Sequence, residues 1–264
     1  MIVGAMRRAS EFLVASMAVA LLSASVAAAT PVVHFRAEPV PIKGYKHTGY
    51  IYGAGTALQA EYQISGKEYF EAPPPLIGVH FYLPAGAEVH PKGFPTCAKA
   101  TLERTGSAEC PSGSAAGPVG HANGVVSFGG ERVEETTTVE SFYSASGGLE
   151  FFTVGHSPTS LEILSSGHYL NLHGAGGFGL EFVTEIPLVP TVPGAPYASV
   201  ENISIEAGSA IMMHGKPLYY GTVPRSCPKA GFSVKSEMIF DEGGATPPVP
   251  EIVTVAYKAP CPRR

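Results

Sequence analysis

Glycine and proline interrupt this chain too often for long helices: 31 glycines and 24 prolines are spread through 264 residues. Inside a helix they cost about 1 and 3 kcal/mol each relative to alanine. The runs between these breaks are rich in Val, Ile, Phe, Tyr and Thr, which suit a pleated, half-buried surface. Three runs alternate clearly. Ile77, Val79, Phe81 and Leu83 face one way, with Gly78, His80 and Tyr82 opposite. Leu58, Ala60, Tyr62 and Ile64 alternate with Gln59, Glu61 and Gln63, and Phe232, Val234, Met238 and Phe240 with Ser233, Lys235, Glu237 and Ile239. A period of two means a strand with one buried face.

Further strands are expected at 32–37, 124–128, 138–143, 149–154, 161–164, 168–173, 179–188, 199–206, 217–223 and 251–257. The turn signals "SASGG" (144–148), "GAGG" (174–177) and "DEGG" (241–244) separate several of them. Helix-period patterning is nearly absent. The expected fold is all-β: an antiparallel sandwich, of which the jelly roll is one form, with one short disulfide-tied helix. "PLVPTVPGAPYA" (187–198) carries four prolines and reads as a linker or as a crossover between two sheets. The crossover is favoured, because Val200–Glu206 resumes the strand pattern at once and too little chain follows for a comfortable second domain.

The first 29 residues read as an address. Arg7 and Arg8 precede an uncharged apolar stretch, Phe12–Val26, and Ala27–Ala29 supply small residues before Thr30. This is the pattern of a cleaved secretory signal, and it is short for a membrane span of about 20 residues. Residues 30–264 are then expected to form a single exported domain, extracellular or associated with the cell envelope, with no transmembrane helix. Removing Arg7, Arg8 and Glu11 from the 17 basic and 22 acidic residues of the whole leaves 15 and 21, a net charge of −6. That balance does not suit nucleic acid as a partner.

In an exported chain an even cysteine count points to disulfides. Cys97, Cys110, Cys227 and Cys261 allow three connectivities, and the local one is favoured. Cys97 and Cys110 flank "AKATLER" (98–104), the best helix-forming stretch after residue 29 but too short to hold alone. Cys227 precedes one expected strand and Cys261 follows another, so a hairpin would bring them together. There is no C-x-x-C pair for zinc or redox chemistry.

Catalytic motifs fail on context. "GHSPT" (155–159) has Thr159 where a nucleophile elbow needs glycine, and the surrounding chain is strand-like. "GAGGFG" (174–179) leads into a strand, so no helix N-terminus is there to meet a pyrophosphate. "SCPK" (226–229) contains Pro228 and the disulfide-forming Cys227. His168 and His173, five apart on one expected strand, face opposite ways. His80 and His90 flank a turn, and a metal site would have to be assembled from distant strands. Asp241 is the sole aspartate and falls in the "DEGG" turn, which excludes calcium loops built on repeated Asp. No catalytic residue, metal ligand or cofactor is assigned. A hydrolase acting through a carboxylate pair would draw on glutamates such as Glu150, Glu162, Glu181 or Glu185. With no tryptophan, a sugar platform would fall to tyrosines such as Tyr219 and Tyr220.

Four segments carry a resemblance: "PPPLIGVHFYLPAGAEVHPKGFPTC" (73–97), "CPSGSAAGPVGHANGVVSFGGERV" (110–133), "LVPTVPGAPYASVENISI" (188–205) and "YYGTVPRSCPKAGFSVKSEMIF" (219–240). The chain resembles a family of uncharacterised secreted β-rich proteins from high-GC Gram-positive soil bacteria. The resemblance implies an exported, disulfide-stapled β fold and supplies neither catalytic residues nor a ligand. The function expected from the sequence is that of a non-catalytic module binding an extracellular polymer or protein. A polysaccharide hydrolase using a Glu pair and a self-assembling structural component are the alternatives.

Overall fold

The structure is a computed structural model and describes residues 30–128, 131–155, 157, 160–190, 194, 196–241 and 250–262. The expected signal at 1–29, most of the "DEGG" turn, and His156, Pro158 and Thr159 of "GHSPT" lie outside the described residues.

Strands form where the alternating runs are. In chain order they are β1 (Val32–Val40), β2 (Gly55–Ser65), β3 (Leu76–Pro84), the two-residue β4 (Glu88–Val89), β5 (Gly120–Phe128), β6 (Glu131–Tyr143), β7 (Leu149–Gly155) and β8 (Leu161–Asn171). There follow β9 (Phe178–Glu185), β10 (Ser199–Ala207), β11 (Ala210–Met213), β12 (Lys216–Tyr219), the two-residue β13 (Gly221–Thr222), β14 (Phe232–Asp241) and β15 (Pro250–Ala259). One helix, α1 (Lys99–Thr105), sits between β4 and β5.

Eleven long strands run side by side in the order β15-β14-β3-β9-β8-β7-β6-β5-β10-β2-β1, every neighbouring pair antiparallel. The sheet curls until β1 returns to within 8 Å, Cα to Cα, of β15. Ten antiparallel steps separate these two, so they run in the same direction; no ladder joins them among the described residues. The opposed walls meet inside. The Phe35 ring on β1 stands edge-on to Phe81 on β3, centroids 5.7 Å apart. The Tyr62 hydroxyl on β2 lies 3.1 Å from Ser236 Oγ on β14. The all-β, antiparallel architecture with one disulfide-tied helix is thus present, its facing layers being walls of a continuous sheet.

The expected segments 161–164 and 168–173 are one strand, β8. Gly167 is not a break: it leaves space that the Phe182 ring fills, and a Cβ there would enter that ring. His173 consequently lies beyond the strand, at φ 52°, so the two histidines do not share it. "SASGG" closes the β6–β7 hairpin, with the Ser144 N–H donating to the Gly148 carbonyl at 3.0 Å. "GAGG" joins β8 to β9 through a short 3-10 turn, its glycines at positive φ. Residues 187–198 carry the chain from β9 to β10, past the four intervening strands of the same sheet. Asp241 is buried as the last residue of β14 rather than placed in a turn, its N–H donating to the Pro75 carbonyl.

The helix packs on the outside of the sheet. Leu102, 0% exposed, inserts with Cys97 among Phe142 and Phe152, beside Val154 and Leu164. No side chain caps the N-terminus of α1; the Cys97–Cys110 disulfide spans the helix instead. The second disulfide, Cys227–Cys261, closes the end of the β14–β15 hairpin, where Phe232 pairs with Ala259. Among the described residues no helix is long and apolar enough to cross a membrane.

Candidate functional site

About eight strands give a closed sheet whose interior side chains just fill. Eleven leave more room, and the sequence fills only part of it. Between β1–β2 and β3–β14 the inward residues are large: Phe35, Tyr62, Phe81, Met238 and Phe240 form a dense core. Across β5–β8 and the adjoining strand β10 many are small: Ala122, Gly124, Thr137, Thr153, Ser165 and Ala207. A cavity of about 290 Å³ results. Its walls include Leu58, Val79, Ile163, Phe182, Ile203 and Ile205. These apolar side chains point inward yet stay only half-buried, because they border open space.

The two ends of the cavity differ. One is closed by aromatic rings: Tyr143 and Tyr220 lie 4.4 Å apart, Tyr169 and Phe182 4.7 Å apart, and Phe94 covers Tyr143 at 4.8 Å. The Tyr220 hydroxyl donates to the Gly147 carbonyl at 3.0 Å, and the Tyr143 hydroxyl lies 2.7 Å from Ser209 Oγ. Burial pushes the Tyr143 phenol up to about 12, against the relief of its Ser209 hydrogen bonds. The Tyr169 and Tyr220 phenols are also raised, chiefly by burial.

The other end is polar. Glu135 on β6 is 3% exposed and lines the cavity. Its Oε1 accepts the Ser157 N–H at 3.1 Å. Gly124 stands directly across from it on β5, and a Cβ on Gly155 of β7 would come within 2.6 Å of Oε1, so Gly155 makes room for this carboxyl. A row of hydroxyls follows, one from each of four consecutive strands: Thr137, Thr153, Ser165 and Thr184. Ser199 faces them from β10, fully buried, and its Oγ has no hydrogen-bond partner among the described residues. Among the described residues no Lys, Arg or His lines the cavity; the acidic members are Glu135 and, at the exposed rim, Glu88.

Of the residues singled out from sequence for a functional role, Tyr220 alone lines the cavity among the described residues; the others fall elsewhere. All four cysteines are in the two expected disulfides. The four glutamates do not converge. Glu150 points out of β7 and is buried under Ser144 and Ser166, whose hydroxyls donate to it at 2.8 and 2.5 Å. Glu162 and Glu185 are exposed. Glu181 lies 2.8 Å from His80 Nδ1 on the outer face, where Tyr82, Lys235 and Glu237 form the adjoining cluster. Tyr220 is in the core, and Tyr219 packs edge-on against Tyr45. His90 faces Glu88 at 3.6 Å. Among the described residues no three of His, Cys, Asp and Glu are grouped to hold a metal.

Sequence reasoning missed the cavity. The signal available was the small inward residue at alternate positions of β5–β8, which reads as strand pattern without its missing volume. No family model, curated protein or solved structure matches the chain.

Proposed function

We propose that the protein is an exported, non-catalytic binding protein that holds an apolar small molecule between the walls of its curled sheet. The observation that carries this reading is the cavity of about 290 Å³ with its aliphatic and aromatic lining. An apolar cavity of about 150 Å³ already takes up benzene, and ligand pockets begin at about 300 Å³. The two disulfides suit an oxidising compartment outside the cytoplasm. A small molecule replaces the polymer as the favoured occupant because Tyr220, a residue suited to a sugar platform, is turned inward.

The test is titration of the protein with N-phenyl-1-naphthylamine, an uncharged probe that brightens in apolar surroundings. Saturable binding at one site is expected. Thr153→Phe places a ring in the cavity and should abolish it while the folded circular dichroism is retained. Absence of saturable binding, or binding indifferent to the ring, refutes the reading.

A further inference from the structure

We infer that the occupant is an elongated, mainly hydrocarbon molecule with two or more oxygen atoms along one edge, and that Thr153, Ser165 and Thr184 hydrogen-bond to them. This rests on the small-molecule reading above and concerns the chemical class that the same cavity takes. Three observations carry it. First, the two sides of the cavity differ. Thr137, Thr153, Ser165 and Thr184 line it from β6, β7, β8 and β9. Across from β7 and β8 in the curled strand order stand β2, β1 and β15, which present Ala37, Pro39, Leu58, Ala60 and Ala259. The Tyr62 hydroxyl on that side is taken up by Ser236 Oγ. Second, the Thr153, Ser165 and Thr184 hydroxyls make no hydrogen bond among the described residues, and Ser165 and Thr184 are each only 7% exposed. A hydroxyl shut away from solvent without a partner is costly, so oxygen atoms of the occupant are the natural partners. Third, the hydroxyls are staggered. Thr153 pairs directly with Val139 and with Ile163, so Thr137 and Ser165 each stand two residues off its level; Thr184 pairs with Gly167, two residues beyond Ser165. Each step to the next strand moves the row toward the tyrosine end.

Diagonal neighbours on one face of a sheet lie about 7–8 Å apart. Partners for successive hydroxyls are therefore spaced along the occupant rather than gathered at one end. Thr137 starts the row already engaged: its hydroxyl donates to the Ala122 carbonyl at 2.9 Å and keeps only the capacity to accept. The other three can both donate and accept, so hydroxyl, carbonyl and ether oxygens all suit them. An occupant lying along this diagonal sets its oxygens on the hydroxyl wall and its hydrocarbon face against Leu58 and Ala60.

The experiment is displacement of N-phenyl-1-naphthylamine by three ligands of one chain length: decane, 1-decanol and 1,10-decanediol. Each affinity is compared with the same molecule's partition from water into hexadecane, a solvent that cannot hydrogen-bond. Every added hydroxyl is expected to lower the affinity at least about tenfold less than it lowers the partition, because the cavity supplies partners that hexadecane lacks. The variant Ser165→Ala/Thr184→Val removes two hydroxyls with little change of shape. It should bind decane as the native chain does and 1,10-decanediol at least about tenfold more weakly. Affinities that track hexadecane partition overturn the inference while leaving the cavity reading intact. Undiminished binding of the diol by the variant overturns it as well. Failure of the probe and all three ligands to bind overturns both. The comparison among ligands uses the native chain, so it holds even if the variant fails to fold.

Discussion

Removing the two disulfides separately should reverse the ranking that their loop lengths give. Cys97–Cys110 has a sequence separation of 13 and closes a loop of 14 residues; Cys227–Cys261 has a separation of 34 and closes 35. Chain entropy alone assigns them about 3 and about 4 kcal/mol. The shorter bond, however, holds a seven-residue helix that has no side-chain N-cap and is too short to persist unaided. Its loss also undocks Leu102, 0% exposed against Phe142 and Phe152. Burial of that leucine is worth about 2 kcal/mol. The Cys97→Ala/Cys110→Ala variant should therefore lose about 5 kcal/mol, against about 4 for Cys227→Ala/Cys261→Ala. Urea unfolding followed by circular dichroism measures both. Leu102→Ala supplies the internal check: about 2–5 kcal/mol lost in the native chain, and under about 1 where the disulfide is already gone. If Leu102→Ala costs the same in both backgrounds, or if the longer loop proves the more damaging, the helix does not depend on its staple and the reasoning fails.

Three further outcomes follow from local chemistry. Burial raises the Glu237 carboxyl, but hydrogen bonds from Lys235 and Tyr82 and the Lys235 charge outweigh it, so it is held below the ordinary glutamate value in the folded protein. That stability is present above the unfolded value and is lost as pH falls through the folded one, so Glu237→Gln should flatten the acid limb of an unfolding curve measured from neutrality downward. The buried tyrosines act at the opposite limit: Tyr143, raised to about 12, stabilises fully below its unfolded value near 10 and loses that contribution as pH rises through about 12. Tyrosinate absorbance should therefore rise together with loss of folded circular dichroism; gradual ionisation of a still-folded protein would contradict the burial of this cluster. Finally, a Cβ at Gly148 would land on the Gly167 carbonyl, so Gly148→Ala should cost at least about 1–3 kcal/mol and lower the thermal midpoint, unless β7 and β8 separate more easily than their pairing suggests.

The strands, the helix and both disulfide pairs are legible in the sequence because local forces determine them. Side-chain alternation marks β2, β3 and β14, and cysteine spacing around "AKATLER" marks the staple. Features that depend on distant partners are not legible. Gly167 reads as a break until Phe182 is seen to occupy its space. Glu150 reads as a catalytic acid until Ser144 and Ser166 are found to hold it. Tyr220 reads as a surface platform until Tyr143, Tyr169 and Phe94 are found around it. Strand β11 escapes notice because Met212 and Met213 remain exposed and give no alternating buried face, whereas its partner β12 falls largely within the expected strand 217–223. The cavity is the extreme case: it is a deficit of volume, and a deficit appears only when opposing walls are compared.

That deficit is also the strongest argument about what the fold is for. Curling brings β1 alongside β15, so the two outer edges of the sheet face each other rather than solvent. Such an arrangement disfavours growth by edge-to-edge pairing and weakens the reading as a self-assembling component. A chain kept only as a stable scaffold would gain from larger residues at Ala122, Thr153 and Ser165, since packing voids cost about 24 cal/mol per Å³. It would gain again by replacing Ser199, whose buried hydroxyl has no hydrogen-bond partner among the described residues, because buried polar groups weaken an apolar interior unless they are paired. Strands β1, β3 and β14 carry full-sized Phe35, Phe81 and Phe240, so the fold is able to fill its interior and does so on one side. Sequences depart from their own packing rules chiefly at functional sites. Two such departures, missing volume and the unpartnered Ser199 hydroxyl, coincide in one cavity here, and a bound molecule would relieve the first and could pair the second.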